Sequence, residues 1–466
     1  MKNKILYDDT VDSDLQMINV NSIDHEWSEH LDCYSIFTND FNTTPKKDNH
    51  NNEEIDEIEK PWNIIRGLLE VPFLLTLIGI LTAIMSFIII KCVQIGSNLL
   101  STLMIIFPNY QFIIFWIWSI SMALLSCFIV QNLCEEASGG GLSEMKAILS
   151  GMIKPILLSK KLIVAKTLGL IFAILAGLSV GKEGPSVSIA AAIADQLMKL
   201  KFLSHIRRQD NKRLEILACA CAGGVSSSFG CGFGGLFFSI EFTSSSYLVK
   251  NLPKAFLTSV VGMITLSLLA PGNHLAFFDN TESNDNIANN KDTITIIEII
   301  IFILVGITCS LVGVFFVYLV EALSAFRNKI LDPMLLRKDV IKRRRYIMVL
   351  IATSFVAPFT YYEIISDGKL LYTLRDIMFT EKGDIYSLQV LSGFFFYKFF
   401  VTAISVSLPL PCGLFSPVFL AGSLLGRIIC LLLHANGRLT SYSLSQFAIV
   451  GAVAFSTGCY CYCYCY

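Results

Sequence analysis

The stretch that decides the fold is Gly-Lys-Glu-Gly-Pro at residues 181–185, which is followed at once by the apolar sequence Val-Ser-Ile-Ala-Ala at 187–191. A second stretch of the same form, Gly-Leu-Phe-Ser-Pro at residues 413–417, precedes another apolar run at 418–422. Both have the pattern Gly-x-x-x-Pro, and proline suits the first turn of a helix because its missing N–H would lack a partner there. The two stretches therefore predict two helices that each begin after a glycine-containing loop.

The composition of the chain places these helices in a membrane. The chain has 466 residues, of which 54% are hydrophobic and 16% charged, and its mean hydropathy is +0.61. A soluble protein carries about a quarter charged residues, and a helix needs roughly 20 apolar residues to cross a bilayer. Uncharged stretches of that length run over 71–90, 92–134, 216–240, 299–320 and 399–426. We therefore predict an all-α polytopic membrane protein, which excludes the secreted, nucleic-acid-binding and soluble cytosolic classes.

A third interruption, Ser-Gly-Gly-Gly-Leu-Ser-Glu at residues 138–144, also lies between apolar segments. Irregular backbone at membrane depth is tolerated only where it is buried in protein or lines a polar cavity. Gly- and Pro-interrupted segments at corresponding positions of two halves indicate an inverted-repeat transport protein whose site lies where broken helices meet. A helix N-terminus offers unpaired N–H groups and a partial positive charge. The sequence therefore predicts that the transported species is an anion.

Glu183 carries a negative charge into this predicted anion site. An ionisable side chain at membrane depth is costly and is by default a functional-site hypothesis. Because a carboxylate is itself an anion, Glu183 can occupy the place of the ion and leave it once protonated or displaced, which is the behaviour of a gate. The alternative is that Glu183 caps its helix or pairs with Lys182 at an interface.

These stretches resemble the CLC family of chloride channels and chloride/proton exchangers over about residues 68–455. The family motif GSGIPE corresponds to residues 139–146, while GKEGP is intact at 181–185 and GxFxP is intact at 413–417. The resemblance implies an inverted-repeat bundle of tilted and broken helices that forms homodimers in the lipid bilayer, with one anion pathway in each subunit. It also implies voltage-gated passage of chloride as the permeant ion, with no cofactor and no nucleic-acid partner.

The resemblance also implies roles for individual residues. Glu183 corresponds to the gating glutamate of the family, and the backbone amides of Leu414 and Phe415 would coordinate the central anion. The serine of GSGIPE is replaced by Gly140, which leaves the preference between chloride and nitrate open; the alternative is a simple flexible substitution in a glycine run. The anion-binding positions expected beside Glu183, Leu414 and Phe415 are Gly140, Gly141, Lys182 and Gly184.

The residue after Phe-Ser-Ile-Glu, at 238–241, bears on the mode of transport. Exchangers of the family usually carry a second, proton-passing glutamate at this place, where this chain has Phe242. Phenylalanine cannot carry a proton, so a passive channel is favoured, and a chloride/proton antiporter of the same family is the first alternative. Glu241 is one position away from the expected place, and a shift of one residue on a helix rotates a side chain by about 100 degrees.

The distribution of charge divides the chain into regions. Residues 1–60 contain 15 acidic residues against five lysines, and such a segment cannot bury enough apolar surface to order itself. Basic residues gather at 199–213 and 327–345, which the positive-inside rule places on the cytosolic side. We therefore predict a disordered, acidic, cytosolic N-terminal tail over 1–60 and an anion-permeation domain over 61–457. The expected location is the plasma membrane or an endomembrane, as an integral multi-pass protein.

Residues 458–466 form a low-complexity Cys/Tyr tail that matches nothing in the family. The alternation is typical of a strand, but it begins where more helices are expected, so we interpret the fold as truncated near the end of the second repeat. A non-conducting truncated subunit is therefore the second functional alternative. A metal-binding tail is a further interpretation, although no CxxC pair with zinc spacing occurs and no metal site is predicted. No catalytic motif such as HExxH is present, so no enzyme is expected.

Overall fold

The computed structural model describes residues 61–152, 154–201, 203–243, 251–270, 296–330, 338–365, 388–435 and 444–465. The predicted acidic tail over 1–60 lies outside these described residues. Within them the chain is built of α-helices and short 3-10 turns, with a single pair of bridged residues at Gly181 and Gly413. The predicted all-α class is therefore confirmed.

The α-helices are numbered here in chain order. They are α1 (Pro61–Ile106), α2 (Gln111–Leu133), α3 (Leu142–Leu149), α4 (Lys160–Leu175), α5 (Glu183–Met198), α6 (Ser204–Arg207), α7 (Asp210–Phe229), α8 (Gly232–Thr243), α9 (Leu252–Leu269), α10 (Ile296–Ile330), α11 (Lys338–Ile365), α12 (Leu388–Ser407), α13 (Phe415–Ala435) and α14 (Leu444–Cys465).

Six helical segments of the described chain are long and apolar enough to cross a membrane. They are Glu70–Ile106, Pro108–Leu133, Leu252–Leu269, Ile299–Lys329, Leu388–Ser407 and Phe415–His434. Helices α5 and α7 are shorter or more polar, and both are largely buried within the protein. This mixture of spanning and short buried helices agrees with the predicted bundle of tilted and broken helices.

Two helix ends have a clear local cause. Helix α4 ends at Leu175, because Gly177 adopts the left-handed conformation with φ of +72°, which glycine takes readily and which ends helices. Helix α1 continues to Ile106, since residues 93–106 contain neither a charge nor a proline that would end it.

Each half of the chain has its own hydrophobic core. One core is formed by buried residues between 74 and 225, and the other by buried residues between 305 and 459. A third cluster joins the two halves, since it contains Ala123 and Leu178 from the first half and Val349 and Leu410 from the second. The two cores and the cluster between them are the packing expected of an inverted repeat, in which each half folds around its own broken helix.

Glycines allow α13 and α14 to approach closely. A Cβ on Gly451 of α14 would lie 2.5 Å from the carbonyl oxygen of Gly422 and 2.7 Å from the Cα of Gly426, both in α13. Small residues spaced in this way let helix backbones touch in membrane proteins. The contact packs the middle of α13 directly against α14.

The Cys/Tyr segment is a continuation of α14. The helix runs from Leu444 to Cys465 without a break at residue 457. Cys459 is fully buried, and its thiol donates a hydrogen bond of 3.3 Å to the carbonyl oxygen of Gly313 in α10. The alternation of cysteine and tyrosine therefore lies on a helix, and Cys459 belongs to the second core.

Candidate anion-binding site

The two Gly-x-x-x-Pro stretches meet at one point of the structure. The N–H of Gly181 donates to the carbonyl oxygen of Gly413 at 2.7 Å, and the N–H of Gly413 donates to the carbonyl oxygen of Gly181 at 2.9 Å. A Cβ on Gly413 would lie 2.6 Å from the carbonyl oxygen of Gly181, so the two backbones pass too close for a side chain. The loops that precede α5 and α13 are thus joined to each other.

Glu183 is the first residue of α5 and is 4% exposed. Its Oε1 accepts a hydrogen bond of 2.5 Å from the hydroxyl of Ser416 in the first turn of α13. Its Oε2 is buried, lies against Gly181, and has no hydrogen-bond partner in the part of the chain that the structure describes. Buried polar atoms are nearly always hydrogen-bonded. The carboxylate is therefore held by one oxygen at the meeting point of the two helix ends.

The alternative assignment of Glu183 as a cap or as the ion-pair partner of Lys182 is not what the geometry shows. Lys182 is the N-cap of α5, and its side chain makes no capping hydrogen bond. The ion pairs found among the described residues do not join Lys182 to Glu183. The side chain of Lys182 is half-buried beside the bridge.

The backbone amides of Leu414 and Phe415 lie at the start of α13. Among the described residues, neither N–H donates to a backbone oxygen outside the helix, as expected for the first residues of an α-helix. Both amides are adjacent in sequence to Gly413, and so lie beside its bridge to Gly181. The predicted positions of Glu183, Leu414 and Phe415 therefore come together at one place.

The ring of Phe415 is enclosed by aromatic side chains from other helices. Ring centroids lie 5.0 Å away for Phe229 of α7, 6.2 Å for Phe238 of α8 and 6.0 Å for Tyr460 of α14. The contact with Tyr460 is absent from the sequence prediction, because a Cys/Tyr repeat carries no helical period from which a packed face could be inferred. These ring contacts hold Phe415 in place, and its backbone amide lies at the start of α13.

The glycine loop at 139–141 also contacts the region where the two Gly-x-x-x-Pro stretches meet. Gly139 and Gly141 have φ of +77° and +79°. This is the left-handed conformation, which glycine adopts readily because it has no Cβ. The N–H of Gly139 donates to the carbonyl oxygen of Leu410 at 2.9 Å. A Cβ on Gly184 would lie only 3.0 Å from the carbonyl oxygen of Gly140. The predicted positions Gly140, Gly141 and Gly184 therefore adjoin one another at the start of α5.

A buried lysine beside this loop was missed in the sequence analysis. Lys166 of α4 is 1% exposed, and its Nζ lies against Gly141. The Nζ and the side chain of Ser188 occupy the space that a Cβ on Gly141 would fill. A charged side chain is rarely buried without a functional or electrostatic reason. The sequence does contain a signal for Lys166, because it is the single charged residue within the apolar run 162–175.

The position that bears on proton coupling is only partly described. Phe242 lies in α8, and its side chain is outside the described residues. Glu241, the neighbouring carboxylate, is exposed.

A comparison with protein families identifies the chain. The family model described as voltage gated chloride channel matches residues 122–461. The chain belongs to the CLC family of voltage-gated chloride channels. Its members are membrane channels and transporters, and the match includes all three glycine-containing motifs and the first part of the Cys/Tyr segment.

Individual CLC relatives support this assignment. Chloride channel protein F of Dictyostelium discoideum is 30% identical over 378 residues, which are 75% of this chain and 45% of the relative. Chloride channel protein 2 of Homo sapiens is 28% identical over 399 residues, which are 76% of this chain and 42% of the relative. This CLC chain therefore spans less than half of the length of either relative.

Solved structures support the CLC fold. The crystal structure of a eukaryotic CLC transporter superposes with a TM-score of 0.68 at 28% identity, covering 84% of this chain and 66% of that one. A slow cyanobacterial Cl⁻/H⁺ antiporter superposes with a TM-score of 0.62 at 15% identity over 84% of this chain and 94% of that one, which shows the fold alone. The predicted family and the predicted CLC-type fold are confirmed.

Proposed function

We propose that this chain forms a passive, voltage-gated chloride channel in which Glu183 is the gate. The observation that carries the proposal is the meeting of the N-termini of α5 and α13 at the bridge between Gly181 and Gly413. Two partial positive charges and their free amides at one point favour an anion. Binding by partial charges is also weak enough to release the ion, as conduction requires. Chloride is the proposed ion because the curated relatives are named chloride channel proteins.

Each predicted site residue has a part in this proposal. The amides of Leu414 and Phe415 coordinate the central chloride, and Gly184 permits the close approach of α5 to the glycine loop. Gly140 and Gly141 bring backbone rather than side chains to the ion. Lys182 adds positive charge at the N-cap of α5.

The gating proposal follows from the single hydrogen bond that holds Glu183. With its carboxylate ionised and bound to Ser416, Glu183 occupies the place where two helix ends would otherwise hold chloride. Protonation removes the negative charge that competes with chloride. Displacement of the side chain by an incoming anion has the same result. Acid conditions therefore favour the open state.

A chloride/proton antiporter is the alternative function within the same family. It requires a group that passes protons, and Phe242 in the expected place cannot do so. Exposed Glu241 is the only carboxylate at 238–242. A channel is therefore the simpler proposal, and a non-conducting subunit is the third hypothesis, which the efflux experiment below tests.

The assembly that we propose is a homodimer in the bilayer with one pathway in each subunit. Residues 1–60 form the acidic cytosolic tail, 61–457 the permeation domain and 458–466 the Cys/Tyr segment. The basic loops at 199–213 and 327–345 support a cytosolic N-terminus by the positive-inside rule. The membrane is the plasma membrane or an endomembrane.

The test is chloride efflux from liposomes that contain the purified chain, with external pH recorded in the same trace. We expect efflux without stoichiometric proton movement, and we expect Glu183→Gln to remove most of the dependence of efflux on external pH. Glu321→Gln is the matched control, because Glu321 is an exposed carboxylate on α10. Proton movement in step with chloride would establish an antiporter, an unchanged pH response in Glu183→Gln would exclude the gate, and absence of efflux would favour the non-conducting subunit.

A further inference from the structure

A groove of about 420 Å³ lies between the C-terminal part of α10, the N-terminal half of α11 and the end of α12. Its walls include Phe326, Ile347, Ile351 and Ile404. Phe326, Ile347 and Ile351 are 65%, 48% and 62% exposed, so that the groove is open along one side. We refer to it as the α10–α12 groove.

The position of the α10–α12 groove relative to the bilayer follows from the spanning segments. The spans Ile299–Lys329 and Leu388–Ser407 both end at the groove. Large apolar side chains that are exposed on spanning helices face lipid rather than water. Because the basic loop at 327–345 marks the cytosolic end of these helices, the groove opens into the cytosolic leaflet.

Positive charge closes the polar end of the groove. Arg327 of α10 and Arg344 of α11 both line it. Among the described residues, Glu135 and Glu144 line a neighbouring cavity that Arg327 also lines, and the Oε2 of Glu135 lies 3.3 Å from the Nη1 of Arg345. Glu321 is exposed on α10. Basic residues outnumber these carboxylates, because α11 carries three more basic residues beside Arg344. These are Lys342, Arg343 and Arg345.

We propose that the α10–α12 groove binds an anionic phospholipid of the cytosolic leaflet. One acyl chain lies along the apolar walls, and the phosphate lies between the guanidinium groups of Arg327 and Arg344. Arginine is suited to this contact because its planar fork donates two parallel hydrogen bonds to a phosphate. Basic side chains at the membrane surface also attract the anionic lipids of the cytosolic leaflet. A groove that joins apolar walls open to lipid with two arginines at one end matches both parts of such a molecule.

The groove shares a residue with the inner side of the anion site. A second cavity, of about 870 Å³, is lined by Ser138, Gly139 and Glu144 from the region of the glycine loop, and Arg327 lines both cavities. The Nη1 of Arg327 donates a hydrogen bond of 2.8 Å to the carbonyl oxygen of Ser407, and its Nε and Nη2 each donate to the Oδ1 of Asn328 at 3.1 Å. Three residues later, the carbonyl oxygen of Leu410 accepts the hydrogen bond from Gly139.

Through these contacts the bound lipid acts on the inner mouth of the anion pathway. A phosphate that binds Arg327 competes with its hydrogen bonds to Asn328 and to Ser407, and Ser407 lies on the segment that leads to Gly413. Lipid binding to the groove and the effect of that lipid on chloride flux can be tested separately. The effect on flux rests on the proposed function, whereas the binding does not.

The binding test uses the full chain purified in detergent and native mass spectrometry with dioleoyl phosphatidylserine as the probe. We expect retained phosphatidylserine on the wild type, and a loss of roughly fivefold in Arg344→Gln, as expected for one basic group at a membrane surface. Ile347→Trp fills the groove and should lower binding without a change of charge. Arg343→Gln is the matched control, because Arg343 is exposed and does not line the groove.

Three results would overturn the site. Equal losses in Arg343→Gln and Arg344→Gln would mean that surface charge alone attracts the lipid. Equal retention of dioleoyl phosphatidylcholine would mean that the arginines do not select the headgroup, and a change of oligomeric state in Ile347→Trp would assign the groove to a second copy of the chain.

The flux test compares chloride efflux from liposomes with and without phosphatidylserine. We expect a change in the rate for the wild type and for Arg343→Gln, and a smaller change for Arg344→Gln. Selective lipid binding without any efflux would contradict the proposed channel but support the lipid site. If the rate of chloride efflux is the same with and without phosphatidylserine in every variant, the proposed effect of the lipid on flux is wrong.

Discussion

The hydrogen bond between Ser416 and Glu183 is the contact on which the proposed gate depends, and it joins residues 233 positions apart in the chain. Hydrogen bonds to charged groups contribute about 1.5–3 kcal/mol. Ser416→Ala should therefore release the carboxylate and favour the open state by roughly 10- to 150-fold. The measurement is the open probability in planar bilayers as a function of voltage and external pH. Ser416→Thr keeps the hydroxyl and is the control, so equal behaviour of the two variants would show that the bond does not hold the gate.

Lys166 is the second residue whose role can be tested by itself. Its amino group lies against Gly141 beside the proposed anion site, and a charge within about 8 Å of an ion contributes on the order of 1–2 kcal/mol at an effective dielectric constant near 20. Lys166→Met keeps the length of the side chain and should weaken chloride binding by roughly 5- to 30-fold. Titration of conductance with chloride measures this change. Lys161→Met on the same helix removes an exposed lysine, and an equal effect in both variants would point to general surface charge.

These residues show how far the site follows from sequence. Glu183 could be predicted because it is a carboxylate within a Gly-x-x-x-Pro helix start. Lys166 carries the same kind of signal, a charge in an apolar run, but no motif draws attention to it. The role of Ser416 could not be predicted, since a serine beside a proline gives no indication of the carboxylate that it contacts from the other half of the chain.

At the scale of elements, the packing of α13 on α14 depends on glycine. Gly451→Val would place side-chain atoms where the backbone of Gly422 and Gly426 lies, and a clash with backbone cannot be relieved by a rotamer change. We expect a loss of about 1–3 kcal/mol or more in the free energy of unfolding. Thermal unfolding of the purified chain in detergent measures it.

The control for this prediction is Gly306→Ala on α10. No heavy atom lies within 4 Å of the place that its Cβ would take, and alanine favours a helix over glycine by roughly 0.5–1 kcal/mol. Gly306→Ala should leave the unfolding temperature unchanged or slightly raised. An equal decrease in both variants would mean that the glycines act through helix propensity rather than through close packing.

The elements themselves were predictable where apolar length decides them. Most membrane-spanning helices follow from uncharged runs, and the starts of α5 and α13 follow from proline. The uncharged run over 216–240 is instead divided between α7 and α8 at Gly230, and the span Leu252–Leu269 was not among the predicted runs. The end of α4 depends on the left-handed conformation of Gly177, which the composition of the segment does not reveal. The course of α14 through residues 458–465 was not predicted, because tertiary packing against Gly313 and Phe415 overrides the strand-like alternation of cysteine and tyrosine.

At the scale of the whole molecule, the proposed anion site is shared between two halves with separate cores. A ligand that binds only the folded protein stabilises it by mass action, by about 2.7 kcal/mol at 100 times its dissociation constant. Chloride should therefore raise the unfolding temperature of the full chain in detergent relative to gluconate at equal ionic strength. Sulfate is the control for a general salt effect, and equal shifts with chloride and sulfate would contradict a chloride site.

The bridge between Gly181 and Gly413 also has a consequence for synthesis of the chain. At typical elongation rates of 5–20 residues per second, the ribosome needs roughly 10 to 50 s to pass from one glycine to the other. During this interval the loop that contains Glu183 lacks its bridge to Gly413. Its polar groups cannot be left without partners in the hydrocarbon of the membrane. The nascent first half is therefore expected to stay beside the insertion machinery until the second half emerges. Substitutions that weaken the bridge should then be observed first as premature degradation of the new chain, before any protein reaches its membrane to conduct.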